Sequence, residues 1–234
     1  MSRRDSNRRA RWVVSSAAIL TVVSYFVPYG FYVVYPMMLL STYAHEMGHG
    51  ITALIVGGRF EQFVMFSDGS GAAHTLSQGR VPRASIAAGG LGGPAVLAAA
   101  MFAAAARARS ARIGLWVLAG GVFASMLLVV RNLFGWGYLA ALVAVVALIA
   151  MRGKPLVVQS TLAFIAVQLA ASVFSRSDYL FTAVANTASG PMPSDVAQMA
   201  DALLLPYWFW GAVCGAFSLL VLAVGLRVFW RNTS

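Results

Sequence analysis

Apolar residues run along this chain in long blocks, separated by short polar stretches. The blocks cover about residues 12–27, 31 or 37–56, 84–106, 113–130, 134–151, 156–174 and 203–229. Each approaches the ~20 residues that cross the hydrocarbon core of a bilayer. Pro28 and Gly30 break the first block from the second. The pattern predicts an all-α polytopic membrane protein of about six to seven transmembrane helices. No linker and no internal repeat divides it, so residues 1–234 read as a single integral membrane domain. Its polar parts are a tail over 1–11, a stretch over 57–83 and a loop over 175–201.

The 57–83 stretch has an internal pattern of its own. Gly57-Gly58 supplies a helix stop. Residues 59–66, Arg-Phe-Glu-Gln-Phe-Val-Met-Phe, partly alternate and favour strand. Ser67 to Gly71 then reads as a turn. The expectation is a short β-hairpin at a membrane surface, or an irregular loop in its place.

Composition agrees with a membrane setting. Hydrophobic residues make up 60% of the chain and charged residues 10%, against ~25% charged in soluble domains. The net charge is +10, with 17 Lys+Arg and 7 Asp+Glu. These cations lie between apolar blocks and in the tail, as Arg3, Arg4, Arg8, Arg9 and Arg11. They read as topology signals and headgroup contacts rather than a nucleic-acid footprint. The partners expected are therefore the lipid bilayer and no nucleic acid. A basic tail before an apolar block reads as an uncleaved signal-anchor. With seven spans, ten of the 17 cations fall on the N-terminal side. That favours a cytoplasmic N-terminus in a cell (plasma) membrane, although Arg107, Arg109 and Arg112 argue the other way. The single cysteine, Cys214, excludes an intrachain disulfide.

The chemistry is concentrated in the second block, which contains His45-Glu46-Met47-Gly48-His49. On a helix, His45 and His49 lie one turn apart on one face. Two imidazoles so placed can bind one zinc ion. Glu46, beside the first ligand, can reach a water at the metal and act as its base. With three His and two Glu in the chain, this spacing arises by chance about three times in ten thousand. Ionisable groups inside an apolar span are costly and mark function. A buried polar cluster that joins helices without a metal is the competing explanation. Gly48 and Gly50 keep the helix slim and leave room for a substrate backbone or a neighbouring helix.

Tyr43-Ala44-His45-Glu46-Met47-Gly48-His49-Gly50, then Gly57-Gly58-Arg59, then Asp68-Gly69-Ser70-Gly71, resembles the M50 metallopeptidases. The branch it is most similar to is the compact M50B-like one, related to site-2 intramembrane proteases. The likeness continues through Gly89-Gly90-Leu91-Gly92-Gly93-Pro94, Arg131-Asn132-Leu133-Phe134-Gly135 and Pro193-Ser194-Asp195. It implies a zinc-dependent endopeptidase that hydrolyses a peptide bond in or near a transmembrane helix of a partner protein.

A catalytic zinc site usually has three protein ligands and one open position. In the characterised relatives the third is an Asp in an Asp-Gly pair on a later helix, and this chain lacks that pair. The resemblance points to Asp195. Asp178, at the end of the sixth block, is the alternative, and His74 after the hairpin turn is another. Ser194-Asp195 also reads as a helix start. Asn132 is either an interfacial loop residue or a donor to the substrate or oxyanion, and Arg131 is either a topology charge or part of that site. The Gly89–Pro94 run is either a close helix contact or a break that admits substrate. The hairpin is a candidate clamp for an unwound substrate strand.

Two other classes compete with a protease. One is a non-catalytic membrane protein that holds zinc for a structural or regulatory purpose. The other is a transporter lined by His45, Glu46 and His49. A transporter would more often carry a repeat or a second cluster of intramembrane charge, and neither is seen.

Overall fold

The computed structural model describes residues 12–16, 18–21, 23, 26–175, 180–187 and 190–233. A short apolar helix, α1 (Trp12–Thr21), comes first. Then follow α2 (Phe31–Ile55), strands β1 (Arg59–Met65) and β2 (Gly71–Leu76), and helices α3 (Arg80–Ala105), α4 (Ala108–Leu128), α5 (Leu133–Arg152) and α6 (Pro155–Ser175). Strands β3 (Val184–Thr187) and β4 (Gly190–Pro193), the short α7 (Asp195–Leu203) and α8 (Tyr207–Thr233) complete the chain. Five helices, α3, α4, α5, α6 and α8, are long and apolar enough to cross a membrane. Helix α2 has the length as well, at 25 residues, and its polar motif keeps it off that count. The protein is a polytopic helical membrane protein, as the block pattern predicts.

Helix α3 is the hub and packs on α2, α6, α7 and α8. Its contact with α2 depends on the absence of side chains. A Cβ on Gly48 would run into the Gly89 carbonyl, and one on Gly93 would run into the carbonyl of Ala44. The two helices are therefore antiparallel and meet backbone to backbone, as small residues permit in membranes. Gly92 lies against Phe217, and Gly225 against Ala99, so α8 runs parallel to α3. The Gly89–Pro94 run is thus a packing seam, and α3 continues through Pro94 without a break.

The hairpin forms, with β1 and β2 antiparallel and an irregularity between Phe60 and Gln62. Gly69 closes the turn at φ +89°, a conformation that glycine adopts without strain. Asp68 stabilises the turn by accepting the Ser70 N–H at 2.9 Å and its hydroxyl at 2.7 Å. These two bonds from Ser70 hold the Asp68 carboxyl below its ordinary value. The far edge of β1 is also occupied. Phe63 N–H donates to the Val129 carbonyl at 2.7 Å and Arg131 N–H donates to Phe63 at 3.0 Å. A short piece between α4 and α5 thus joins β1 as a third, parallel partner. The polar loop over 175–201 carries a second antiparallel hairpin, β3–β4, that the sequence reading did not foresee.

Candidate metal centre

Helix α2 brings His45 and His49 onto one face, as their spacing requires. Their Nε2 atoms lie 3.1 Å apart. Asp195 arrives from the first turn of α7. Its Oδ2 is 3.1 Å from His45 Nε2 and its Oδ1 is 3.4 Å from His49 Nε2. These three residues form the one cluster among the described residues that could hold a metal ion. Ligands at ~2.0–2.1 Å around a tetrahedral zinc are separated by ~3.3 Å, so the spacing fits that ion.

The proton inventory also fits. His49 Nδ1 is 2.8 Å from the Ile86 carbonyl, which can only accept, so Nδ1 carries the proton. With the proton held there, the neutral imidazole that a metal requires has its lone pair at Nε2. That lone pair faces a carboxylate whose buried Oδ2 accepts no hydrogen bond. Converging lone pairs of this kind are satisfied by a cation. The Nδ1–H to carbonyl bond is the usual outer support for a metal-binding imidazole.

Asp195 is seated by the elements around it. Ser194 caps α7, its hydroxyl accepting the Ala197 N–H at 3.2 Å and donating to the Thr182 carbonyl at 2.6 Å. Ser194 N–H also donates to the Ala183 carbonyl at 3.1 Å. Behind the cap, Met199 and Ala202 of α7 pack against Ala84 and Ala87 of α3 and Cys214 of α8. Ser194-Asp195 is thus a helix start, and that start sets the Asp195 carboxylate beside both imidazoles. Asp195 is 7% exposed.

Glu46 is buried beside the cluster. Its Oε2 accepts the Ala73 N–H at 2.8 Å. The outer edge of β2, turned away from β1, therefore faces Glu46. Gly90 supports the other ligand, since a Cβ there would overlap the His49 imidazole. Ala73, Ile86 and Gly90 were not among the sequence candidates. Two of them act through backbone atoms, which leave no trace in residue type. The Gly89–Gly93 run was the available signal for the third.

The remaining candidates lie elsewhere. His74 is exposed on β2 opposite Gln62 and is outside the cluster. Asp178 is outside the described residues. Asn132 uses both halves of its amide on Met65, accepting its N–H at 3.1 Å and donating to its carbonyl at 2.5 Å. The Arg131 guanidinium donates to the Val130 and Leu128 carbonyls at the end of α4. Both side chains tie the α4–α5 connection to its surroundings and lie outside the three-residue cluster.

A protein-family model described as Peptidase M50B-like matches residues 14–225. No curated protein and no solved structure matches the chain.

Proposed function

The chain belongs to the M50B-like peptidase family, and from that premise we propose that it is a zinc-dependent intramembrane endopeptidase. The observation that carries the reading is the triangle of His45, His49 and Asp195 at zinc-ligand spacing, with Glu46 buried next to it. Zinc held by these three side chains would acidify a water and polarise the scissile carbonyl. His49 is oriented for that role by Ile86 and Gly90, and Asp195 by the Ser194 cap. Glu46 takes the proton from the attacking water and delivers it to the leaving amine. Its bond to Ala73 fixes one carboxylate oxygen, while Oε1 has no partner among the described residues.

The substrate class follows from the setting. A helical peptide bond is shielded by its own hydrogen bonds, so a transmembrane substrate must unwind near the site. Strand β1 is engaged on both sides, by β2 and by the Val129–Arg131 connection. Among the described residues the outer edge of β2 pairs with no strand, and its Ala73 N–H is held by Glu46. A substrate segment added along this edge would present its backbone to the triangle. The cation count of the whole chain favours a cytoplasmic N-terminal side, and the cell membrane is the setting proposed for the protein.

Glu46→Gln tests the reading. The variant keeps size and hydrogen bonding but loses basicity. Zinc content and folding should survive, and cleavage of a co-expressed single-span partner should fall about 10²–10⁴-fold. Full cleavage by a normally zinc-loaded Gln variant would remove Glu46 as the base. If abundance or metal content falls instead, with no separate catalytic defect, the protein is a non-catalytic zinc holder.

A further inference from the structure

The end of the bundle farthest from the triangle carries a different kind of chemistry. There the C-termini of α3, α5 and α8 meet the N-termini of α4 and α6. Arg107, Arg109, Arg112, Arg152, Lys154 and Arg231 gather at this end. None of the described side-chain carboxylates, Glu46, Glu61, Asp68, Asp195 and Asp201, lies in these helix ends or the turns that join them, and Glu46, Asp195 and Asp201 belong to the half that holds the triangle. That other half balances its cations in part, for example Arg83 against Asp201 at 3.8 Å.

One of these cations has a structural duty. Arg112 reaches across to α5 and donates to the carbonyls of Ala150 and, at 2.8 Å, of Gly153. It satisfies groups left open by the end of that helix. The guanidinium groups of Arg107 and Arg109, by contrast, have no hydrogen bond or ion pair among the described residues. Both border an open cleft of about 280 Å³. Its walls are Ala103, Ala106 and Ile113, and its polar rim adds Ser110 and Asn232. The Ser110 hydroxyl already donates to the Ala104 carbonyl at 2.7 Å, so its remaining capacity is as an acceptor.

An apolar floor with two uncommitted guanidinium groups at its mouth matches one ligand chemistry. The floor suits glycerol and the first methylenes of an acyl chain, and the rim suits a phosphate diester. Position agrees, because the ends of membrane-length helices come together there, at the α3–α4 turn and the end of α8, as the headgroup region of a bilayer requires. Basic pockets between transmembrane helices bind anionic headgroups, and on the orientation proposed above this one opens to the leaflet opposite the N-terminus. We infer that the cleft between the α3–α4 turn and the C-terminal end of α8 is a binding site for an anionic glycerophospholipid, held through its phosphate by Arg107 and Arg109. The site is separate from the metal centre and independent of the proposed hydrolysis.

The test uses the purified full chain in detergent and reads thermal unfolding. Dihexanoyl-phosphatidylglycerol should raise the unfolding temperature saturably, and dihexanoyl-phosphatidylcholine should not. In the Arg107→Gln/Arg109→Gln variant the phosphatidylglycerol affinity should weaken about 30-fold, from the loss of two headgroup cations. Its unfolding temperature without lipid should match wild type, since neither side chain bonds to another described residue. Arg80→Gln, at the other end, should respond to phosphatidylglycerol as wild type does. Equal stabilisation of wild type and the double variant would overturn the assignment. So would inorganic phosphate acting as strongly as phosphatidylglycerol, which would mark a site for a free anion. Added salt should weaken the wild-type effect by screening.

Discussion

Helices α3 and α5 are both long and apolar, yet they occupy opposite situations. Over its best membrane window α3 is 56% buried inside the protein and α5 is 22% buried. The more hydropathic helix, α5, is the one left facing outward. In water the order would be the reverse. In lipid, apolar surface gains nothing by turning inward, and close packing decides instead. Helix α3 brings Gly89, Gly90 and Gly93 to the α2 seam and so approaches the ligand helix backbone to backbone. Helix α5 presents large side chains such as Leu133, Val145 and Leu148 to the outside. Its one specific contribution to the hairpin comes from its start. Asn132 occupies the cap position of α5 but makes no cap bond, and its amide holds Met65.

Substitutions along the two helices should separate a helix that holds a site from one that faces lipid. The largest effect is expected at Gly90. An alanine there presses on the His49 ring, and zinc affinity should drop about 10–100-fold, the range for disturbing a ligand's support. Competition with a chromophoric chelator measures it, and unchanged affinity would detach Gly90 from the metal centre. Next comes Gly48→Ala, which forces the α2–α3 seam apart at the Gly89 carbonyl. Overpacking of this kind costs about 1–3 kcal/mol and should lower the unfolding temperature. Asn132→Ala should cost a similar or smaller amount, about 1–3 kcal/mol for leaving the Met65 groups unpaired. Its signature is local, as faster amide exchange in β1 with α3 unaffected. The smallest effect belongs to Gly137 in α5, where a Cβ would meet nothing within 4 Å. Gly137→Ala should lie within about 0.5 kcal/mol of wild type, or be slightly stabilising. A loss as large as that of Gly48→Ala would erase the distinction between the two helices.

The same contrast explains what could be read in advance. Block lengths were enough for the helices, because a bilayer imposes one length on every span. They could not say which helix lies inside, since hydropathy does not sort helices in lipid. The glycine run over 89–93 carried that information. His45, Glu46 and His49 were legible because their spacing is local and the helix period converts it into geometry. Asp195 was reachable only through likeness to a family, because its approach depends on how α7 packs against α3 and α8. The β3–β4 hairpin was hidden in four-residue strands around Gly190 and Pro193, too short for an alternating pattern. The pairing of β1 with the α4–α5 connection is a single bridge made by backbone alone, which no side-chain pattern encodes.

The distance along the chain between the histidines and Asp195 has a consequence in time. Four membrane-length helices, α3 to α6, separate them. Synthesis runs from the N-terminus, and each of those helices must emerge and insert before α7 exists to be docked. A chain stopped anywhere before α7 owns two imidazoles and a glutamate but lacks the carboxylate that completes the triangle. Whatever chemistry the triangle supports therefore begins only when the bundle around it is almost finished. If the proposed hydrolysis holds, order of synthesis alone would keep the half-built molecule inert among the other nascent helices of its membrane.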